Sequence, residues 1–273
     1  MKKSIWKQER KQGHTHRSAG TLIIAVSAAL CLSGSSFGAN LANPAAQIGD
    51  ARIAVGASYH LGGSTITNLE IPMMMNRITG RVSYSPVRYL NIGFDLGTVQ
   101  VSVDQYPAGS DTIPVFDGNF GWSGGGYIKL TTPFLFNHVA LIGLANGNFF
   151  RSQNDLKAYY GGKDGAGAVG IQVRIPKFGF ISAGPHVYYI EGENRGYEGN
   201  TGNYSNINNL RGWIAVDYFP QANVFNSNQQ PYLSFEFTAS PKINTSSRVR
   251  VQEFSASITL GAITQRLYGF DKD

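Results

Sequence analysis

Residues 78–97 read ITGRVSYSPVRYLNIGFDLG. Ile78, Val82 and Tyr84 alternate with polar or small residues, and the same alternation runs through 90–97. A period of two is that of a β-strand with one apolar and one polar face. A break as short as Ser85–Arg88 joins antiparallel strands. The stretch therefore predicts two neighbouring antiparallel strands.

The same period recurs along the chain. Including the two strands above, it predicts ten strands, at 51–59, 78–84, 90–96, 120–130, 138–148, 169–175, 179–191, 210–218, 233–238 and 254–262. Eight strands would result if the weakly alternating 138–148 and 179–191 were loops, and twelve if 62–76 or 219–231 held further strands. The apolar phase changes between Leu96 and Val99, which predicts a β-bulge there. No long apolar run follows residue 49, which excludes a bundle of membrane helices.

The connections alternate in length. Short turns are predicted at 85–88, 131–137 and 176–178, and long polar loops at 62–76, 104–117, 149–165, 193–209 and 241–249. Only 219–231 is long where a short turn is expected. Short periplasmic turns and long external loops are typical of outer-membrane barrels. An even strand number places both ends of the barrel in the periplasm.

The composition narrows the function classes. Charged residues make up 15% of the 273 residues, below the ~25% usual for soluble domains. Residues 1–20 hold six of the 23 basic residues and one of the 17 acidic residues, which leaves a net charge of +1 elsewhere. The basic character belongs to the leader, so we expect no nucleic-acid partner.

The leader has the order of a secretory signal peptide. A basic stretch precedes an apolar run at Leu22–Leu32, and small residues follow up to Ala39. We predict a cleaved signal peptide at 1–39, a short N-terminal segment at 40–48 and a barrel at 49–270. An uncleaved anchor is the alternative. Cys31 is the only cysteine, and a lipid anchor there is disfavoured by Leu30. The mature chain then lacks cysteine, disulfides and thiolate metal sites.

The two strand faces differ as they do in a membrane barrel. The apolar face is expected to meet lipid and the polar face to line the interior. Small residues suit the interior of a narrow barrel; the polar face carries Gly56, Gly93, Gly97, Gly121, Gly125, Gly170 and Gly184. Aromatic residues form a band near the turns, with Tyr84, Phe178 and Tyr232, and a second near the loops, with Phe149, Phe150, Tyr159, Tyr188 and Tyr189.

On these features the chain resembles the small bacterial outer-membrane β-barrels of the OmpA, OmpX and OmpW type. The resemblance covers 49–270 and concerns architecture. It implies a closed antiparallel transmembrane β-barrel in the outer membrane, surrounded by outer-membrane lipid and inserted by the barrel assembly machinery. Members often end on an aromatic residue, whereas here Phe270 is followed by three more residues.

Charged residues on the polar face are the candidate functional residues. By strand parity the lumen is lined by Arg52, Arg77, Arg81, Asp95, Lys129, Arg174, Arg211, Asp217, Glu236 and Glu253. The strand pairing predicts that Arg52, Arg77 and Arg81 share one wall, and that barrel closure brings Glu253 toward Arg52. Some of the acids should lie within salt-bridge reach of these arginines.

Three functions are compatible with such a lumen. The first is a structural barrel, or one that contacts a surface ligand through its Asn- and Tyr-rich loops. The second is a small porin-like channel for polar or anionic solutes, since basic rings favour anions. The third is a lipid-modifying enzyme. The sequence leaves the oligomeric state open.

The sequence predicts no enzyme, no cofactor and no metal site. His60, His138 and His186 lack metal-ligand spacing. Ser182 and His186 lack the surrounding motif of a hydrolase. Gly165, Gly167 and Gly170 fit G-x-G-x-x-G by letter, but without a preceding strand and a following helix we interpret 161–170 as a loop entering a strand. Met73–Met75, in the predicted first loop, could pack on the barrel mouth or touch an apolar ligand.

Overall fold

A computed structural model describes residues 44, 46, 48–66, 71–104, 106–108, 111–113, 115–196, 201–206, 210–220, 229–240 and 253–264. The predicted leader and its cleavage site, the 241–249 loop and the C-terminal residues 265–273 lie outside the described residues. No helix among the described residues is long and apolar enough to cross a membrane.

The described chain contains fourteen strands. They are β1 Arg52–Ile66, β2 Ile71–Val87, β3 Leu90–Val103, β4 Tyr106–Ala108, β5 Asp111–Ile113, β6 Phe116–Asp117, β7 Gly121–Thr131, β8 Val139–Gln153, β9 Tyr159–Ile175, β10 Gly179–Arg195, β11 Thr201–Ser205, β12 Leu210–Tyr218, β13 Gln229–Ala239 and β14 Phe254–Thr264. Ten of them, β1, β2, β3, β7, β8, β9, β10, β12, β13 and β14, pair antiparallel with their neighbours. β14 pairs with β1 from Ala54–Ile263 to Gly62–Ser255, which closes the barrel. The predicted ten-stranded closed barrel is confirmed.

The strands run further than the sequence indicated at one end. We call this the loop end, where β1, β3, β8, β10 and β13 finish, and the opposite end the turn end. β1 and β2 pair continuously up to Ile66–Ile71, so most of the loop predicted at 62–76 is strand. Most of 149–165 is strand as well, because β8 and β9 pair up to Gln153–Tyr159. The glycine cluster 161–170 lies wholly inside β9, which corrects its interpretation as a loop.

The predicted bulge between Leu96 and Val99 is wrong. β3 pairs with β2 without interruption from Val103 to Ile92, and the register shift lies at Tyr84/Val87. The apolar phase changes because the interior changes. Leu96 points outward, whereas Val99, Val101 and Val103 are buried inside the barrel. At the loop end the interior is apolar, so the apolar positions move to the other strand face.

Lower in the barrel, inward glycines make room for large interior side chains. A Cβ on Gly93 would lie 2.2 Å from Cε1 of Tyr127, and one on Gly56 would lie 2.6 Å from the Tyr232 hydroxyl. Both tyrosines are buried. Phe150, Tyr188 and Tyr232 were predicted in the outer aromatic bands, but their strand parity places them inside, where all three are buried.

Candidate functional site: the barrel interior

The interior at the turn end holds three described residues that precede β1. Pro44, Ala46 and Ile48 are buried there. Lys129 on β7 donates from Nζ to the carbonyl oxygen of Pro44 at 2.7 Å and also to that of Ala46. The N–H of Ala46 donates to Oδ2 of Asp217 at 2.7 Å. Two buried side chains of opposite charge thus hydrogen-bond to the same stretch of backbone.

The next layer is an arginine–aspartate pair. Arg81 on β2 and Asp95 on β3 are directly opposite in the register. Nε and Nη2 of Arg81 donate to the two carboxylate oxygens, both at 2.6 Å. The guanidinium also lies over the ring of Tyr127, 4.6 Å from its centroid. A bidentate pair held against an aromatic face fixes both side chains in the lumen.

Two further ion pairs cross the interior nearer the loop end. Arg77 pairs with Asp164, whose carboxylate also accepts from Nδ2 of Asn148 at 2.8 Å. Arg211 lies 3.4 Å from Oε2 of Glu253, and the other oxygen of that carboxylate accepts from the Thr65 N–H at 2.8 Å. These groups are nearly inaccessible to water, with side-chain exposures between 0% and 3%.

An apolar plug occupies the described interior at the loop end. Phe116, Tyr160 and Tyr204 form a chain of rings, with centroid separations of 4.7 Å and 5.5 Å. Met73 and Met75 are buried in the same cluster and Met74 is half-buried, so this part of the predicted first loop is β2 strand. The three layers and this plug follow one another along the described interior from the turn end to the loop end.

The ten predicted lumen charges do not all reach this interior. Eight are buried, with exposures of 7% or less: Arg77, Arg81, Asp95, Lys129, Arg211, Asp217, Glu236 and Glu253. Arg174 is exposed, because β9 ends one residue later at the turn. Arg52 is half-buried and lines a 300 Å³ cavity at the turn end together with Arg174. Both arginines therefore lie at the turn-end mouth of the interior and not within it.

The pairing of Glu253 also differs from the expectation. Antiparallel register places Gly62 opposite Ser255, so Glu253 lies at the loop end. Arg52 is at the turn end of the same strand, and the two cannot meet. Asp95 does contact one of the named arginines, Arg81.

Asp164 and Asn148 are interior residues that sequence reasoning missed. Both fell in the region 149–165 or at its edge, which was interpreted as loop. The signal was present, because Asp164 has the parity of the inward residues Ala168 and Gln172 on the same strand.

Ser182 and His186, which the sequence places near each other, do not meet in the described structure. Ser182 and His186 are both buried on the inner face of β10, four residues apart, which places their Cα atoms roughly 13 Å from each other. The Ser182 hydroxyl accepts instead from Nε2 of Gln172 at 3.0 Å. His138 is exposed at a turn. In the described part of the chain, no three His, Cys, Asp or Glu side chains cluster as a metal site.

The outer surface has the opposite polarity to that of a soluble protein. Leu96 is 75% exposed, and Phe94, Leu130, Leu141 and Val169 also stand outward. A closed barrel with charges inside and a belt of exposed apolar side chains is a transmembrane β-barrel, because lipid covers such a belt.

No protein-family model matches the chain, and no curated protein matches its sequence. Its fold is similar to those of solved structures, three of which follow. The translocator domain of the autotransporter NalP from Neisseria meningitidis is 10% identical, with 90% of this chain and 94% of that one covered and a TM-score of 0.43. The outer membrane protease OmpT from Escherichia coli is 11% identical, with 85% and 99% covered and a TM-score of 0.40. The CymD monoaromatic hydrocarbon channel is 10% identical, with 82% and 91% covered and a TM-score of 0.30. Similarity at this level concerns the fold and not the activity.

Proposed function

We propose that this chain is a structural or surface-interacting barrel of the bacterial outer membrane, with a lumen that is closed rather than conducting. The observation that carries the proposal is the dryness of the interior charges. Arg81, Lys129 and Arg211 are each 2% exposed or less. In a water-filled pore such lining groups would be hydrated. Their partners are instead carboxylates and backbone carbonyls.

The test is conductance across a planar bilayer. We expect the refolded wild-type barrel to insert without ion steps. The double variant Arg81→Ala with Tyr127→Ala removes the two largest side chains of the Arg81–Asp95 layer and should raise the frequency of openings. The matched control is Leu96→Ala, which shortens a side chain on the outer face. Steady ion steps from the wild type would instead support the small channel for polar or anionic solutes.

The proposal includes the export route. A leader at 1–39 is cleaved, and the barrel assembly machinery inserts the strands. Membrane fractionation with N-terminal sequencing of the mature chain tests this route. A protein recovered in the soluble periplasmic fraction, or one retaining residues 1–39 in the membrane, contradicts it.

A further inference from the structure

A large cleft lies on the outside of the barrel, near the loop end. It has a volume of 940 Å³ and crosses the outer faces of β7 to β11. Its outward side chains are of three kinds, namely the aromatics Trp122, Phe149, Tyr159 and Tyr189, the cations Arg151 and Lys163, and the polar or acidic residues Glu191, Glu193, Asn203 and Ser205. Neither the closed lumen nor the strand pairing requires this arrangement.

The cleft lies where the apolar belt ends. On β9, Lys163 belongs to the cleft, whereas Val169 and Ile171 on the same outer face are exposed apolar residues below it. Aromatic rings and cations at the edge of an apolar belt are typical of the level of lipid headgroups. A molecule bound in the cleft would have its lower part against the belt, so it would be an amphiphile.

On the turn-end side of the cleft, three adjacent outward positions of the barrel wall carry no side chain. Gly126, Gly147 and Gly165 are neighbours in the register of β7, β8 and β9, and this row ends at Phe94 and Tyr189. Three adjacent strands span about 10 Å from the first to the third. A Cβ on Gly147 would meet only the carbonyl oxygen of Asp164, at 3.9 Å. Packing within the barrel does not demand glycine at 147, whereas a Cβ on Gly126 or Gly165 would lie 3.0 Å from a backbone carbonyl oxygen of the neighbouring strand. The row leaves a shallow trough facing lipid.

The polar groups of the cleft are ordered but weakly held. The guanidinium of Arg151 lies 4.1 Å from the ring centroid of Tyr159, whose hydroxyl donates to Glu193 at 2.6 Å. Lys163 pairs with Glu191 at 2.6 Å, with side-chain exposures of 56% and 37%. Exposed pairs of this kind contribute little to stability. A phosphate could therefore take the place of the carboxylate on Lys163, and it would also be within reach of a charge-assisted bond from Arg151.

We propose that the cleft and its glycine trough bind one phosphorylated glycolipid of the outer leaflet. Arg151 and Lys163 take the phosphate, and Trp122 and Tyr159 offer aromatic faces to sugar rings. Glu193 and Asn203 accept or donate hydrogen bonds with sugar hydroxyls, and acyl chains lie along Gly126, Gly147 and Gly165. A cleft of 940 Å³ has the volume of roughly thirty waters, more than a lone phosphate requires. The proposal rests on the outer-membrane location proposed above.

The test uses the detergent-refolded full barrel and native mass spectrometry, with diphosphorylated lipid A as the probe and phosphatidylglycerol as the second lipid. We expect one saturable lipid A per barrel and weaker binding of phosphatidylglycerol. The double variant Arg151→Ala with Lys163→Ala should weaken lipid A binding by about tenfold or more, because two charge-assisted contacts are lost. Gly147→Leu, which fills the trough, should weaken it to a similar extent.

Two controls make the result specific. Arg88→Ala with Arg174→Ala removes two exposed cations at the turn end, and Gly80→Leu fills an outward position on β2 where a Cβ would meet only the Leu96 carbonyl at 3.7 Å. Both should bind as the wild type does. Retention of the wild-type circular dichroism spectrum checks the fold, and Lys163→Arg should restore binding if a variant is unstable.

Equal binding of both lipids, or unchanged lipid A binding in the cleft and trough variants, overturns the proposal. Binding in detergent does not depend on the state of the lumen. A conducting wild type would therefore contradict the closed barrel and leave the lipid site standing. Absence of lipid A binding would contradict the lipid site and leave the closed barrel standing.

Discussion

Lys129 and Asp217 meet at one residue, Ala46, which gives its carbonyl oxygen to the ammonium group and its N–H to the carboxylate. Both charged side chains are buried, with exposures of 2% and 0%. An isolated charge in such a place is strongly unfavourable, so the segment and the two side chains stabilise one another. Pro44, Ala46 and Ile48 are therefore part of the barrel interior.

Lys129→Ala should loosen this end of the barrel. It leaves Pro44 without its donor and removes one of the two charges that grip Ala46. Breaking a buried charged contact costs roughly 3–5 kcal/mol, and less where water can enter. We expect a lower urea midpoint for unfolding from vesicles and faster proteolysis near residues 44–48. Arg88→Ala, at an exposed position, serves as control. An unchanged midpoint in Lys129→Ala would argue against a stabilising contact between Lys129 and the backbone of Pro44 and Ala46.

Arg81 and Asp95 should behave as a coupled unit. Arg81→Met alone leaves a buried carboxylate without its bidentate partner, and Asp95→Leu alone leaves a buried guanidinium. The double variant removes both charges, so it should be more stable than the sum of the single effects predicts, by about 1–3 kcal/mol. Equilibrium unfolding of the four proteins measures this coupling. Additive effects would show that the two groups are independently hydrated.

Gly93→Ala should strain the barrel at Tyr127. The added Cβ would lie 2.2 Å from the tyrosine ring, so the ring or the strand must move. Overpacking of this kind costs roughly 1–3 kcal/mol in the free energy of unfolding. Tyr127→Leu in the same chain should recover much of that loss. Gly143→Ala, where a Cβ would meet nothing within 4 Å, is the matched control and should be near neutral. A neutral Gly93→Ala would mean that Tyr127 does not occupy this space.

Leu96→Arg tests the membrane-facing belt. This side chain is 75% exposed in the middle of β3. A lipid-facing arginine near the bilayer midplane destabilises a barrel by about 2–4 kcal/mol. Folding into vesicles should be impaired accordingly, whereas Phe136→Arg at an exposed turn should be tolerated. If Leu96→Arg folds into vesicles as readily as the control, the belt does not face lipid.

The strand order of the barrel could be predicted from the sequence because the lower half follows one rule, apolar outward and polar inward. Arg81 and Asp95 obey it, and their parity alone places them on the inner face. Toward the loop end the rule reverses. Val101 is buried inside while Lys163 is exposed outside, because water replaces lipid around the barrel and an apolar plug replaces the charged lumen. In this region the apolar residues fall on the inner face and the polar residues on the outer face. The segments were therefore interpreted as polar loops.

That reversal also explains why Asp164 was missed. Asp164 faces inward where the interior changes from charged to apolar. The glycine-rich sequence around it shows no apolar alternation that would indicate a strand. The hydrogen bonds of Lys129 and Asp217 with Ala46 could not be predicted at all. They depend on where a segment without β-strand alternation lies in the folded barrel. Three-dimensional proximity of β7 and β12 across the lumen creates them, and local sequence carries no trace of that proximity.

The contact between the first and last barrel strands constrains how the barrel can fold. The Ile53 N–H donates to the Thr264 hydroxyl across 211 positions of sequence. A contact across so long a stretch of sequence is entropically costly and should form late. Until β14 arrives, β1 and β13 each present an open edge, and open edges recruit other strands. A nascent barrel therefore remains prone to aggregation until β14 has paired. Its folding yield depends on keeping the edge of β1 from pairing with other chains until then.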